Sequence, residues 1–285
     1  MVASALSFSL MAVCVKQVSL RIPVAEVMLA RALVSVALSW WLLRRSGIPP
    51  WGRRRGLLIW RGVVGSLALA CVYGALGQLP MAAATVLQYL YPTCTALLAW
   101  LMLGERIGRR VVAAVAVGWA GVLLVAHPQG LQLPSLGVWI AVAGALLTAL
   151  AYVSVRQLRR TEHPLVIVFY FPLVALPLTL PLVALQPVLP TAQEWILLLG
   201  VGLFTQLGQV YLTRSLMELP AARATAISYV QVVFAGLWGW LLFGEAVTGT
   251  TLAGAALVLL ATLISLSSAG EADRSATGSA PPGPR

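Results

Sequence analysis

Thr85, Gln88, Tyr89 and Pro92 stand at i, i+3, i+4 and i+7 inside a single apolar run, the spacing that gathers side chains on one face of a helix. A hydroxyl, an amide, a phenol and a proline make no catalytic set. What they offer is hydrogen bonding and a bend. Pro92 has no N–H and crowds the carbonyl of Gln88, so a bent helix with a freed acceptor beside the polar face is expected. A second stripe, Thr225, Ser228 and Tyr229, repeats the pattern later in the chain with Val232 in the proline's place, and no proline bend is expected there.

Other apolar runs are interrupted in the same way. Gln206, Gln209 and Thr213 share a helical face, Thr148 and Tyr152 stand one turn apart, Ser7 and Met11 occupy the first run, and Tyr73 the third. A single Ser or Thr can bond its own backbone or a neighbouring helix, a contact worth about 0.6–2 kcal/mol. Glutamines carry more donors and acceptors than hydrocarbon can satisfy, so Gln88, Gln206 and Gln209 argue for a shared polar site. All these residues together form the expected substrate-binding set.

The absences narrow the chemistry. Glu26, Glu105, Glu162, Glu194, Glu218, Glu245, Glu271 and Asp273 all fall at run ends, in loops or in the tail, as do His127 and His163. Paired aspartates, a serine–histidine arrangement and clustered metal ligands are all missing from the runs, which argues against an enzyme and against a metal or other cofactor. Cys14, Cys71 and Cys94 lie inside runs, where free buried thiols are expected. Proton coupling usually needs a titratable group near the midplane of the membrane. A facilitator or exchanger is therefore expected, with Glu26 the one candidate for coupling; a proton-coupled drug or metabolite exporter is the alternative, and a non-transporting receptor or scaffold a third. Arg31 and Arg61 are the deepest charges. Arg61 is about 9 Å along a helix from Arg55, and snorkelling to the membrane surface is expected of it. Arg31, whose face does not hold Glu26, is expected to bind a neighbouring helix end if its span lies at the periphery; a direct substrate role is the alternative for both arginines.

The elements that must carry these residues are membrane spans. Hydrophobic residues make up 60% of the chain and charged ones 9%, against roughly a quarter charged in a soluble domain. Runs near the 18–20 residues that cross a bilayer recur along the chain. Ten are expected: Ala3–Val18, Val24–Leu43, Gly56–Leu76, Met81–Leu103, Val111–Ala126, Leu136–Val155, Leu165–Leu185, Trp195–Met217, Ala221–Phe243 and Thr250–Leu266. The first run lacks a preceding basic region and reads as a span, not a secretory signal. The segment 269–285 is rich in Ser, Gly and Pro and reads as a disordered cytoplasmic tail. With both termini cytoplasmic, fifteen of the nineteen basic residues fall on the inner side, as the positive-inside rule requires. The basic clusters thus report orientation and contact with anionic headgroups, and no nucleic-acid partner is expected. The expected partners are a small-molecule substrate and the lipid bilayer, in a monomer or homodimer.

The stretch Leu79–Glu105 and the stretch Leu219–Glu245 align without a gap at an offset of 140 residues, with eleven of twenty-seven positions identical. The same offset sets VCVKQ at Val13 against VSVRQ at Val153. Each half holds five spans, and an odd number makes the second half enter the membrane from the opposite side. The Arg-rich loop between spans 2 and 3 accordingly corresponds to QPVLPTAQE, which has no Lys or Arg. The fold class expected is all-α and polytopic, ten transmembrane helices in two inverted five-helix repeats, 1–128 and 135–268. Inverted repeats suit carriers that open a midplane site to either side in turn.

The Leu-Pro step, the small-residue run with Thr, the aromatic before Pro92, the Leu-Leu-Ala-Trp-Leu-Met-Leu-Gly-Glu ending and the Gly118/Gly121 span resemble the signature half of EamA-type carriers of the drug/metabolite transporter superfamily. RGVVGSLALACVYGALGQLP, which precedes the first copy, is similar to the solute-carrier 35G-like branch. This resemblance implies ten helices, cytoplasmic termini, a bacterial inner (plasma) membrane location and a central cavity lined by spans 1, 3, 4, 6, 8 and 9. It names no substrate. The aromatic and amide residues suit an amino-acid-like or other neutral or zwitterionic solute moved by alternating access.

Overall fold

The computed structural model describes residues 1–19, 21–78, 87–104, 108–125, 135–185 and 188–243, with isolated positions between 249 and 264. Regular structure among those residues is helical, as backbone in hydrocarbon must be to satisfy its own N–H and C=O groups. In chain order the helices are α1 (Val2–Val18), α2 (Val24–Arg45), α3 (Arg55–Gln78), α4 (Tyr91–Leu103), α5 (Arg109–Val125), α6 (Ser135–Leu158), α7 (Pro164–Leu185), α8 (Ala192–Glu218), α9 (Ala221–Ile227) and α10 (Val230–Phe243). Helices α2, α3, α6, α7 and α8 are long and apolar enough to cross a membrane, and shorter apolar helices accompany them. Most of the expected tenth span, the tail and Thr85 lie outside the described residues.

Large apolar side chains such as Trp100, Trp139, Ile196 and Leu185 are exposed on the outer surface. Water would penalise a patch of this extent; lipid does not. The protein is an integral membrane protein.

Packing follows the 140-residue offset. Helix α1 packs on α8, and α3 on α6; α2 packs on α7; α2 also meets α8, and α3 meets α7. Exchanging each helix for its repeat equivalent returns the same pairs. Direction can be read from the loops. The Glu162 carboxylate, just before α7, accepts the backbone N–H groups of Arg53 (2.7 Å) and Arg54 (2.5 Å), in the loop that leads from α2 to α3. At the other end Arg21, just before α2, pairs with Glu194 and donates to the Leu189 carbonyl at 2.9 Å, just after α7. The equivalent helices α2 and α7 therefore run in opposite directions.

The expected proline bend takes the form of a break ahead of Pro92, and the second half, where no proline bend is expected, is broken as well. A two-residue break at Tyr89–Leu90 precedes α4, and Pro92 sits in the first turn of α4, where its missing N–H leaves no bond unmade. The second copy breaks at the equivalent place, Ser228–Tyr229, with no proline. Hydroxyls do the work there. Thr225 Oγ1 donates to the Ala221 carbonyl (2.9 Å) and Ser228 Oγ to the Thr225 carbonyl (2.5 Å), while the Ser228 and Gln231 N–H groups make tight i→i−3 bonds. Such bonds compete with the α-helical ladder. The breaks face each other: the Tyr91 and Ser228 hydroxyls pair, and the Tyr89 and Tyr229 rings stack 5.5 Å apart.

Candidate functional site

Between the two halves lies a cavity of about 160 Å³. Of the expected binding set, it is lined by Met11 on α1, Tyr73 on α3, Gln88 and Tyr89 at the first break, Thr148 and Tyr152 on α6, and Gln209 on α8. The other described members are directed elsewhere. Ser7 Oγ donates to the Ala3 carbonyl of its own helix at 2.8 Å, and Gln206 Nε2 donates to Ser39 Oγ on α2 at 2.8 Å. Thr213 is fully buried away from the cavity, Thr225 and Ser228 shape the second break, and Pro92 starts α4. Tyr229 backs the wall behind Tyr89. In that wall Tyr91 stands edge-on to Tyr152 at 5.4 Å and tilted to Tyr89 at 5.8 Å.

Sequence reasoning missed Tyr91 and Gln231, which are repeat equivalents and both line the cavity. A continuous helix puts neither on the stripe of Thr85 or Thr225. The breaks reset the phase, so residues just past them turn inward.

The larger correction concerns charge. Arg31 and Arg61 neither snorkel nor cap a helix end; they are 5% and 2% exposed and face the cavity. Arg31 Nε donates to Thr205 Oγ1 at 3.1 Å, and Arg61 Nη2 to Gln209 Oε1 at 3.3 Å. Both guanidiniums lie against the Phe171 ring, 4.8 Å and 4.4 Å from its centroid, a placement favoured by the quadrupole of the ring. Gly65 makes room: a Cβ there would stand 2.6 Å from Arg61 Nη1 and 2.9 Å from the Phe171 ring. Arg31 and Phe171 are repeat equivalents, as are Gly65 and Thr205, so this cluster straddles the relation between the halves. Only the first half supplies charge. Through Arg31 and Phe171, α2 and α7 join the expected lining helices. Glu26 does not: its carboxylate accepts the Val188 N–H at one end of α2. Among the described residues no carboxylate lines the cavity.

The model of the EamA-like transporter family matches residues 1–126 and again 135–267. The chain belongs to that family. Among its EamA relatives is the pseudopaline exporter CntI of Pseudomonas aeruginosa, 34% identical over 91% of this chain and 92% of that protein. Solute carrier family 35 member G1 of Homo sapiens is 26% identical over 76% of this chain and 64% of its own length. A solved crystal structure, 18% identical, superposes with a TM-score of 0.79 over 92% of this chain and 95% of that one, a likeness of fold. The chain is thus a membrane transporter, and family and relatives point away from an enzyme.

Proposed function

We propose that this EamA protein moves a small organic metabolite by alternating access, as a facilitator or exchanger, outward across the bacterial inner membrane. The observation that carries this is the cavity itself. Its polar and aromatic lining comes from both halves and lies beside the stacked repeat equivalents Tyr89 and Tyr229, where two units rocking against each other would alternately expose it. Opposite running of α2 and α7, and packing that is preserved when the repeats are exchanged, support two inverted units, 1–128 and 135–268, with ten spans and both termini cytoplasmic. The names of the relatives, an exporter among them, agree with outward flux. The tyrosines and amides suit an amino-acid-like or other zwitterionic solute. Site residues in this reading are Met11, Tyr73, Gln88, Tyr89, Tyr152 and Gln209, in a unit complete as a monomer.

Profiling the metabolites in the medium of producing cells tests the reading. One or a few solutes should accumulate outside. Tyr89→Ala and Gln209→Ala should each reduce that flux at least about tenfold, the effect of losing roughly 1.4 kcal/mol of binding, at unchanged protein abundance in the membrane. No solute-specific flux from the wild-type protein would favour a receptor or scaffold. In proteoliposomes carrying the exported solute, an imposed pH gradient should not drive accumulation. Accumulation that persists in Glu26→Gln would sink the uncoupled mechanism.

A further inference from the structure

We propose that Arg31 and Arg61 form an anion subsite that holds the carboxylate groups of the transported solute, and that this solute is an organic acid with at least two carboxylates. The inference rests on the transporter reading and replaces its zwitterionic solute with an acidic one. A guanidinium stays charged in any protein environment, and burying an unpaired charge carries a penalty of several kcal/mol. Two such cations lie against one ring, 4.8 Å and 4.4 Å from its centroid. No carboxylate among the described residues lines the cavity to balance them. Thr205 and Gln209 each take one donor. Arg61 Nε and Nη1 are buried without a hydrogen-bond partner.

A fold that needed these side chains only for packing would gain by replacing them with apolar ones. A fold that binds an anion needs the donors left open, and the planar guanidinium fork matches a carboxylate in two-point geometry. The remaining lining divides accordingly. Phe8, Val15, Ala68 and Val72 offer an apolar surface to a carbon skeleton, while Gln88 and Gln231 stand ready for further polar groups. Two carboxylates would neutralise the two cations and allow the liganded cavity to change its exposure without carrying a bare charge through hydrocarbon.

Thermal unfolding of the full chain in detergent, at matched ionic strength, gives the test. Succinate, citrate and N-succinyl amino acids should raise the unfolding midpoint by about 2–4 °C near saturation, whereas dimethyl succinate and sodium chloride should leave it unchanged. Arg31→Gln and Arg61→Gln should weaken the response to the acids at least tenfold, with Arg61→Lys retaining part of it. Without ligand, Arg61→Gln should unfold at or above the wild-type temperature, because it removes an unpaired buried charge; a lower midpoint would assign the arginine to structure and overturn the subsite. Equal responses to acid and ester, or responses to inorganic phosphate but not to carboxylates, would overturn it as well. Vesicle flux separates the two readings. Acid-specific binding without flux leaves the subsite standing and removes the transporter, while flux that treats ester, acid and the Gln variants alike removes the subsite alone.

Discussion

Gly65 and Gly202 show how a single hydrogen in place of a methyl group serves two different ends. At Gly65 the atoms a Cβ would meet are the far end of Arg61 and the edge of Phe171, which can shift. Gly65→Ala should therefore leave the unfolding midpoint nearly unchanged while cutting solute affinity about tenfold, since it moves the guanidinium off its ring. Isothermal binding or flux against concentration checks this. At Gly202 the Cβ would stand 2.4 Å from the Cβ of Val34, in the contact between α8 and α2, and neither backbone can yield. Overpacking of that kind costs about 1–3 kcal/mol, so Gly202→Ala should lower thermal stability and expression, with the affinity of the surviving protein unchanged. The spacing of Arg61 and Gly65 is visible in the sequence. Which ring fills the gap is not, because Phe171 arrives from a helix more than a hundred positions away.

At the scale of the element, the paired breaks separate cause from appearance. Pro92 looks like the residue that interrupts its span, yet the equivalent span is interrupted where Val232 replaces it. Pro92→Ala should change stability by less than about 1 kcal/mol, because a first-turn proline removes no helical bond. Ser228→Ala is the harsher change. It strips the buried Tyr91 hydroxyl of its partner and releases the Thr225 carbonyl from its side-chain bond, at a cost of about 1–3 kcal/mol. Chemical denaturation of the two variants should rank them in that order, and the reverse order would return the break to the proline. Gln88 and Tyr89 were legible by helical spacing, whereas Thr225 and Ser228 share that spacing and shape the second break instead of lining the cavity. Beyond the breaks, Tyr91 and Gln231 are placed by a phase that only the interrupted backbone sets.

For the whole molecule, the ties at the two ends of α2 and α7 matter most. Glu162 closes one end on Arg53 and Arg54, and Arg21 with Glu194 closes the other. The offset of 140 brings Arg54 onto Glu194 and Thr161 onto Arg21, so both ties join equivalent loops with the charges exchanged. A carrier that opens one end at a time must break one tie while keeping the other. A cysteine placed at cavity residue Ala12, with Cys14, Cys71 and Cys94 replaced by Ser, should react faster with an impermeant maleimide from one face in Glu162→Ala. In Arg21→Ala it should react faster from the opposite face. Acceleration from the same face in both variants would contradict alternating access.

The amino-acid sequence determined what composition and periodicity can hold: a membrane protein, helical spans, a duplication at a fixed offset, and part of the cavity lining, Tyr73, Gln88, Tyr89, Tyr152 and Gln209. These are local or repeated signals, set by each residue's transfer between water and lipid and by the pitch of a helix. Tertiary structure decided the charge of the site. Whether a guanidinium inside a span reaches for the membrane surface or turns inward depends on what stands beside it, and for Arg31 and Arg61 the neighbours are Thr205, Gln209 and Phe171, brought from the other half of the chain.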